Sequence, residues 1–151
     1  IAGECSPLRA TAMAAKTLER LAVGEAHAAL TADAFVGDGF DELEARLAAT
    51  HEVRRFPYDW HLSLLIEAAR LARTLDAAIM ACAPHPVRVV THGSGALLLR
   101  AVQLEHPSTW KRLLDHPEAR ILLLAPPVDG TWLPMQVLSG DETFGGLLTA
   151  G

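Results

Sequence analysis

The fold is decided by residues 87–96, which read VRVVTHGSGA. The run at 87–91 is rich in β-branched side chains, which is typical of a buried strand. It passes through the turn His92-Gly93-Ser94-Gly95 and at once into a helical pattern that begins at Ala96. A strand that turns this abruptly into a helix can hold a side chain above the edge of a sheet, and small residues let the backbone make that turn. We therefore expect any chemistry of this chain to lie at this turn.

The segments on either side of the turn alternate between strand and helix patterns. Strands are predicted at residues 52–56, 87–91 and 120–124. Helical spacing of apolar residues predicts helices at residues 62–82 and 96–104, and a short helical turn at residues 107–110. This order is typical of an α/β fold: three short parallel strands with flanking helices and right-handed crossovers.

The first 50 residues show no strand pattern, and we interpret them as a helical N-terminal segment ahead of an α/β core at residues 51–151. An amphipathic helix is predicted at residues 7–22. Its apolar stripe consists of Leu8, Ala12, Ala15, Leu18 and Leu21. A second, short helix follows Asp41, which is expected to cap it.

Composition narrows the classes of function. Half of the residues are hydrophobic, 5% are aromatic, and Ala and Leu together make up about a third of the chain, which favours helices over an all-β sandwich. The net charge is −5 and no basic cluster occurs, so no nucleic-acid partner is predicted. Cys5 and Cys82 lack the spacing of a metal site or a disulfide framework and are predicted to pack in the core; no metal or cofactor is predicted.

Nothing in the sequence predicts a membrane segment or a compartment. No apolar run reaches the roughly 18 to 20 residues that span a bilayer, and the first residues lack the pattern of a signal peptide. Localisation and oligomeric state do not follow from the residues.

Three segments together resemble one known family. FPYDW at residues 56–60, VVTHGSGA at 89–96 with Arg100 behind it, and LAPPVDG at 124–130 are similar to the lecithin:cholesterol acyltransferase-like branch of the α/β-hydrolases. The similarity runs from about residue 51 to residue 146, with the segments in the family's order. It implies a lipase-, esterase- or acyltransferase-like domain that acts on lipid-like esters.

The same comparison shows a departure at the nucleophile. When His92 is aligned with the family's histidine, Gly93 falls in the nucleophile position and Ser94 in that of the oxyanion donor. A glycine cannot attack an ester. The alternative places Ser94 at the centre of a G-x-S-x-G motif, in which His92 occupies a position that requires a small residue.

The sequence therefore leaves three hypotheses open. The first is an ester hydrolase or O-acyltransferase domain with Ser94 as its nucleophile. The second is a degenerate hydrolase fold used for binding or scaffolding, with His92, Gly93 and Gly95 shaping its turn. The third is a packed half-domain without a site.

Ser94 would also need an acid and a base that follow it in the chain. His106 and His116 precede the predicted third strand, which is not where this fold places its histidine. Asp129 follows that strand and is a candidate acid, although Pro127 and Gly130 beside it are typical of an ordinary loop. The family's usual acid and base would lie beyond Gly151.

Two other groups have a structural and a functional interpretation. Tyr58 and Trp60 are expected to pack while Asp59 caps the next helix, although this edge of an α/β sheet also binds ligands. His92 is expected to be a core histidine that could also orient the turn. The apolar residues of the tail, from Trp132 to Leu148, could form a lid or a packing surface.

The resemblance also implies missing parts. In the family, the three predicted strands correspond to the fourth, fifth and sixth, and nothing before residue 51 resembles the third. Three strands alone leave edges and an apolar face exposed. Together with the first residue, Ile1, and the turn-like end at Gly151, this predicts a fragment, or an assembly in which another chain or copy completes the sheet.

Overall fold

A computed structural model describes residues 39–60, 62–132, 135–136 and 139. Four helices and two strands are formed in these residues. In chain order they are α1 (Gly39–Ala48), α2 (Leu64–Cys82), β1 (Arg88–His92), α3 (Gly95–Glu105), α4 (Pro107–Leu114) and β2 (Arg120–Leu124). The predicted helix at residues 7–22, Cys5 and most of the apolar tail lie outside the described residues.

The two strands form a parallel sheet. Arg88 pairs with Arg120 at one end of the register and His92 pairs with Leu124 at the other. Because α3 and α4 lie between them in sequence, the strands and helices form a β-α-α-β unit with both carboxyl ends at one edge. The predicted parallel α/β class is confirmed at this coarse level.

The predicted strand at residues 52–56 is wrong. This segment forms no regular element and has no strand partner among the described residues. A strand needs a neighbour for its backbone N–H and C=O groups, and this segment is held by its side chains instead. The Arg55 guanidinium binds the Asp41 carboxylate at 3.0 Å and also pairs with Glu44, which ties the segment to α1. The described sheet therefore has two strands where three were predicted.

The start of α2 also differs from the prediction. Ser63, and not Asp59, is the N-cap, because its hydroxyl accepts a hydrogen bond from the Leu65 N–H at 3.3 Å. The Asp59 carbonyl accepts from the Leu62 N–H at 3.2 Å. Tyr58 is buried as expected, whereas Trp60 is 51% exposed and does not pack as predicted.

Two helices are longer than predicted: α1 begins earlier and α4 ends later. α1 begins at Gly39, so Asp41 lies in its first turn and is not its cap. α4 extends to Leu114, beyond the single predicted turn, because Thr109 and Arg112 both bind Asp76 of α2. The Thr109 hydroxyl donates to the Asp76 carboxylate at 3.0 Å. This polar contact holds α4 against α2.

The core lies between the helices and one face of the sheet. It consists of Tyr58, Ala68, Leu71, Ala72, Leu75, Leu98, Leu99, Val102 and Leu113. Val89 and Ile121 pack against it from the strands, and Cys82 at the end of α2 is half-buried and free. On the opposite side of the sheet, Val90 and Leu122 stay 42% and 52% exposed. In the part of the chain that the structure describes, no helix is long and apolar enough to cross a membrane.

Candidate functional site at the turn between β1 and α3

The chain reverses direction at Gly93, immediately after β1. The Gly93 N–H donates to the Leu124 carbonyl at 2.9 Å, which carries the sheet ladder one residue past the end of β1. Its φ is +55°, a conformation that glycine adopts without steric cost. A Cβ built on this residue would meet no atom within 4 Å. The apex of the turn is therefore a left-handed glycine with open space above it.

Ser94 lies one residue further on and already has a right-handed helical backbone, with φ −64° and ψ −13°. Its carbonyl accepts hydrogen bonds from the Leu97 and Leu98 N–H groups at 3.0 and 3.1 Å. Its side chain makes no cap to α3. Instead, its hydroxyl lies 2.7 Å from the hydroxyl of the buried Tyr58. Ser94 is thus the first step of the helix and not the apex of the turn.

Tyr58 is held in this position by Arg70 of α2. The Arg70 guanidinium hydrogen-bonds the Pro57 carbonyl and lies 4.1 Å above the centre of the Phe56 ring. The same guanidinium pairs with the buried Glu67 carboxylate at 2.7 Å. The pair on α2 therefore fixes the residues on the N-terminal side of Tyr58 and, through them, the contact with Ser94.

The environment of Tyr58 keeps its phenol protonated. Burial raises the pKa of Tyr58 above its ordinary value of 10.0, and the nearby Glu67 charge raises this pKa further. The hydrogen bond with Ser94 lowers the pKa in part, because it stabilises the phenolate. At neutral pH the Tyr58 hydroxyl can therefore donate a hydrogen bond, but it does not act as a base towards Ser94.

This pKa gives a direct titration prediction, because Tyr58 is the sole tyrosine of the chain. The midpoint of phenolate absorbance should lie above pH 10, and Ser94→Ala should move this midpoint further up. Above pH 10 the unfolded chain loses the proton more readily than the folded chain, so stability should fall as pH rises, and less so in Tyr58→Phe. An absorbance titration alongside denaturant unfolding checks both. A midpoint at or below 10 would contradict the burial.

A second prediction concerns the backbone at Gly93. Gly93→Ser should lower the free energy of unfolding by about 1 to 2 kcal/mol, because a side chain at this φ is strained although the space is open. Gly93→Asn should lower the free energy of unfolding by less, since asparagine tolerates the left-handed region better. Urea unfolding of the two variants measures the difference. Equal stability of Gly93→Ser and the parent would mean that the turn is not left-handed.

The other predicted site residues lie apart from this contact. His92 is half-buried, and its ring meets the Phe40 ring edge-on at 5.3 Å. Gly95 is buried at the start of α3. Asp129 is exposed in the loop after β2. Among the contacts of the described residues, none joins Asp129, His106 or His116 to Ser94.

Sequence reasoning missed Glu67 and Arg70 as site residues, because both look like ordinary polar positions of an amphipathic helix. The available signal was an acid and a base three residues apart, close to the segment FPYDW. No group of three or more His, Cys, Asp or Glu that could hold a metal ion occurs in the described ranges. The arrangement offers two hydroxyl donors, those of Tyr58 and Ser94, whereas the Ala96 and Leu97 N–H groups at the start of α3 already donate to the Gly93 and Ser94 carbonyls. Such donors suit a carbonyl or carboxylate oxygen.

Comparison with known proteins adds no family to this geometry. The chain matches no protein-family model, no curated protein and no solved structure. The turn and the residues that contact it are therefore the features of this chain that point to a function.

Proposed function

We propose that the β1-α3-α4-β2 unit is part of an α/β-hydrolase-like core in which Gly93 holds the position of the nucleophile. The domain would then bind an ester or carboxylate ligand at the turn without cleaving it. The observation that carries this proposal is the left-handed φ of +55° at Gly93, because the nucleophile of a hydrolase elbow occupies the strained apex between strand and helix. Ser94 lies past that apex.

The chemistry of the two hydroxyl groups agrees with binding. Ser94 makes its hydrogen bond to Tyr58, and the raised pKa of Tyr58 keeps this partner protonated at neutral pH. When Tyr58 donates to the Ser94 oxygen, the hydrogen of Ser94 is available for an acceptor on a ligand. The pair is therefore a donor to a ligand oxygen and not a nucleophile activated by a base.

Exposed apolar side chains suggest the rest of the ligand. Trp60 lies two residues past Tyr58 and is 51% exposed. Val128 and Trp132 follow the carboxyl end of β2 and are 67% and 80% exposed. The loop after β2 leaves the sheet edge where α/β folds bind ligands, and the Tyr58–Ser94 contact brings the segment of Trp60 to the end of β1, so an acyl chain beside a carbonyl group fits this surface.

Nuclear magnetic resonance of the full chain tests this function. Titration with ethyl butyrate should shift the amide signals of residues 93–96 but not that of Met80 near the end of α2, while chromatography finds the ester intact. Ser94→Ala should weaken the Kd about 3- to 10-fold, the effect of one lost hydrogen bond. Absence of shifts at the turn would refute binding there, and hydrolysis of the ester would refute the loss of catalysis.

A second candidate function is an ester hydrolase or O-acyltransferase that uses Ser94. The favouring observation is that the Ser94 hydroxyl lies at the start of α3, where the helix dipole stabilises negative charge. This alternative requires a base that reaches Ser94 and a turn that brings it to the apex. Labelling of Ser94 by a serine-directed reagent separates the two functions.

A further inference from the structure

The two faces of the sheet pack differently, although Leu123, on the same face as Ile121, is itself 42% exposed. Val89 and Ile121 are paired in register and pack against the core. Val90 and Leu122 are also paired, and because side chains alternate along a strand they point to the opposite face, where they are 42% and 52% exposed. We call this side, defined by Val90 and Leu122, the open face. Parallel sheets are ordinarily buried on both faces, so the open face is expected to have a cover.

The chain that precedes α1 leaves the described structure beside this open face. Phe40 is the second residue of α1, and its ring contacts His92 with a centroid distance of 5.3 Å. His92 lies two residues after Val90 and therefore on the same face of β1. The start of α1 is thus placed at the carboxyl end of the open face.

The length of the preceding chain allows it to return over this face. A helix over residues 7–22 is about 24 Å long, and the five-residue strands span about 17 Å. Residues 23–38 could bridge up to about 50 Å when extended, so reach does not limit the arrangement. The predicted helix presents one apolar stripe, which consists of Leu8, Ala12, Ala15, Leu18 and Leu21.

We propose that residues 7–22 pack this stripe across the open face of the sheet. The segment then completes a three-layer arrangement, with the two-stranded sheet between α2 and α3 on one side and the N-terminal helix on the other. It removes Val90 and Leu122 from water within a single copy of the chain. A second copy of the chain on the same face is the competing outcome of the test.

Thiol labelling of the full chain measures whether position 90 is covered. The parent for this test carries Cys5→Ser, Cys82→Ser and Val90→Cys. Its thiol should react slowly with a maleimide, and adding Leu18→Asp should raise the rate about tenfold or more, because a buried leucine is lost from the cover. Met13→Asp is the matched control, since Met13 lies on the opposite side of the predicted helix and should change the rate less than twofold.

The competing outcomes are distinct. A fast reaction in the parent, or an equal rate in Leu18→Asp, would overturn the proposal. Protection that rises with protein concentration would show that a second copy covers the face, which would also overturn it.

Oxidative cross-linking gives a second measurement that does not depend on the stability of Leu18→Asp. In the same background, Leu18→Cys with Val90→Cys should form a disulfide within one chain. Met13→Cys with Val90→Cys should not. Equal cross-linking of both pairs would reject the placement of the stripe.

Discussion

Replacement of Arg70 by alanine is expected to lower the free energy of unfolding by about 3 kcal/mol. The Glu67 carboxylate is only 4% exposed, and Arg70 is the cation paired with it. Without Arg70 this charge stays buried and uncompensated, and the Pro57 carbonyl and the Phe56 ring lose their contacts as well. Because the Arg70 side chain is itself 40% exposed, the loss should lie at the lower end of the range for a broken buried pair.

Urea unfolding of matched variants isolates this effect. Arg73→Ala removes an exposed arginine from the same helix and should change stability by less than about 0.5 kcal/mol. Adding Glu67→Gln to Arg70→Ala should recover part of the loss, since the buried charge is gone. Equal stability of Arg70→Ala and Arg73→Ala would contradict the role of Arg70.

Leu98→Ala is expected to lower the free energy of unfolding by about 3 kcal/mol, within a range of about 2 to 5 kcal/mol. Leu98 is 2% exposed and packs in the core, four residues past Ser94 on α3. Its removal leaves a cavity between α3 and α2, the two helices that position the turn and the segment carrying Tyr58. The free energy of unfolding of a small domain is about 5 to 15 kcal/mol in total, so this one change should remove a large share of the stability.

The control for Leu98 lies on the same helix. Leu104 is 63% exposed, so Leu104→Ala makes the same chemical change without a cavity and should alter stability by less than about 0.5 kcal/mol. Thermal and urea unfolding of the two variants give the comparison. A loss in Leu104→Ala equal to that in Leu98→Ala would mean that α3 is not oriented as described.

Elements whose signals are local could be predicted from the sequence. β1 and β2 follow from short β-branched and leucine-rich runs, and α2 follows from a long apolar period that ends before Pro84. The segment at residues 52–56 has a similar local pattern, yet it forms no strand, because a strand depends on a neighbour that a local pattern does not report. The N-cap of α2 could not be predicted for a similar reason. Ser63 caps it instead of Asp59 because α2 begins at Leu64, and the local pattern does not report this start.

The candidate site could be predicted only in part. The turn follows from residues 92–95, since the sequence order alone places a tight turn between strand and helix, but it left the apex open between Gly93 and Ser94. The Tyr58 contact could not be predicted, because it joins residues 36 positions apart. The role of Arg70 is equally non-local, since it acts through the Pro57 carbonyl, a backbone group that no side-chain pattern reveals.

We propose that Gly93 occupies the nucleophile position and that Ser94 does not replace it. Incubation of the full chain with a fluorophosphonate, followed by mass spectrometry of its peptides, tests this most directly, because an activated serine displaces fluoride and keeps the phosphonyl group. Ser108, an exposed serine on α4, is the internal reference for unspecific reaction. We expect no more adduct on Ser94 than on Ser108. A stoichiometric adduct on Ser94, together with ester turnover that Ser94→Ala abolishes, would show that Ser94 is the nucleophile and overturn this proposal.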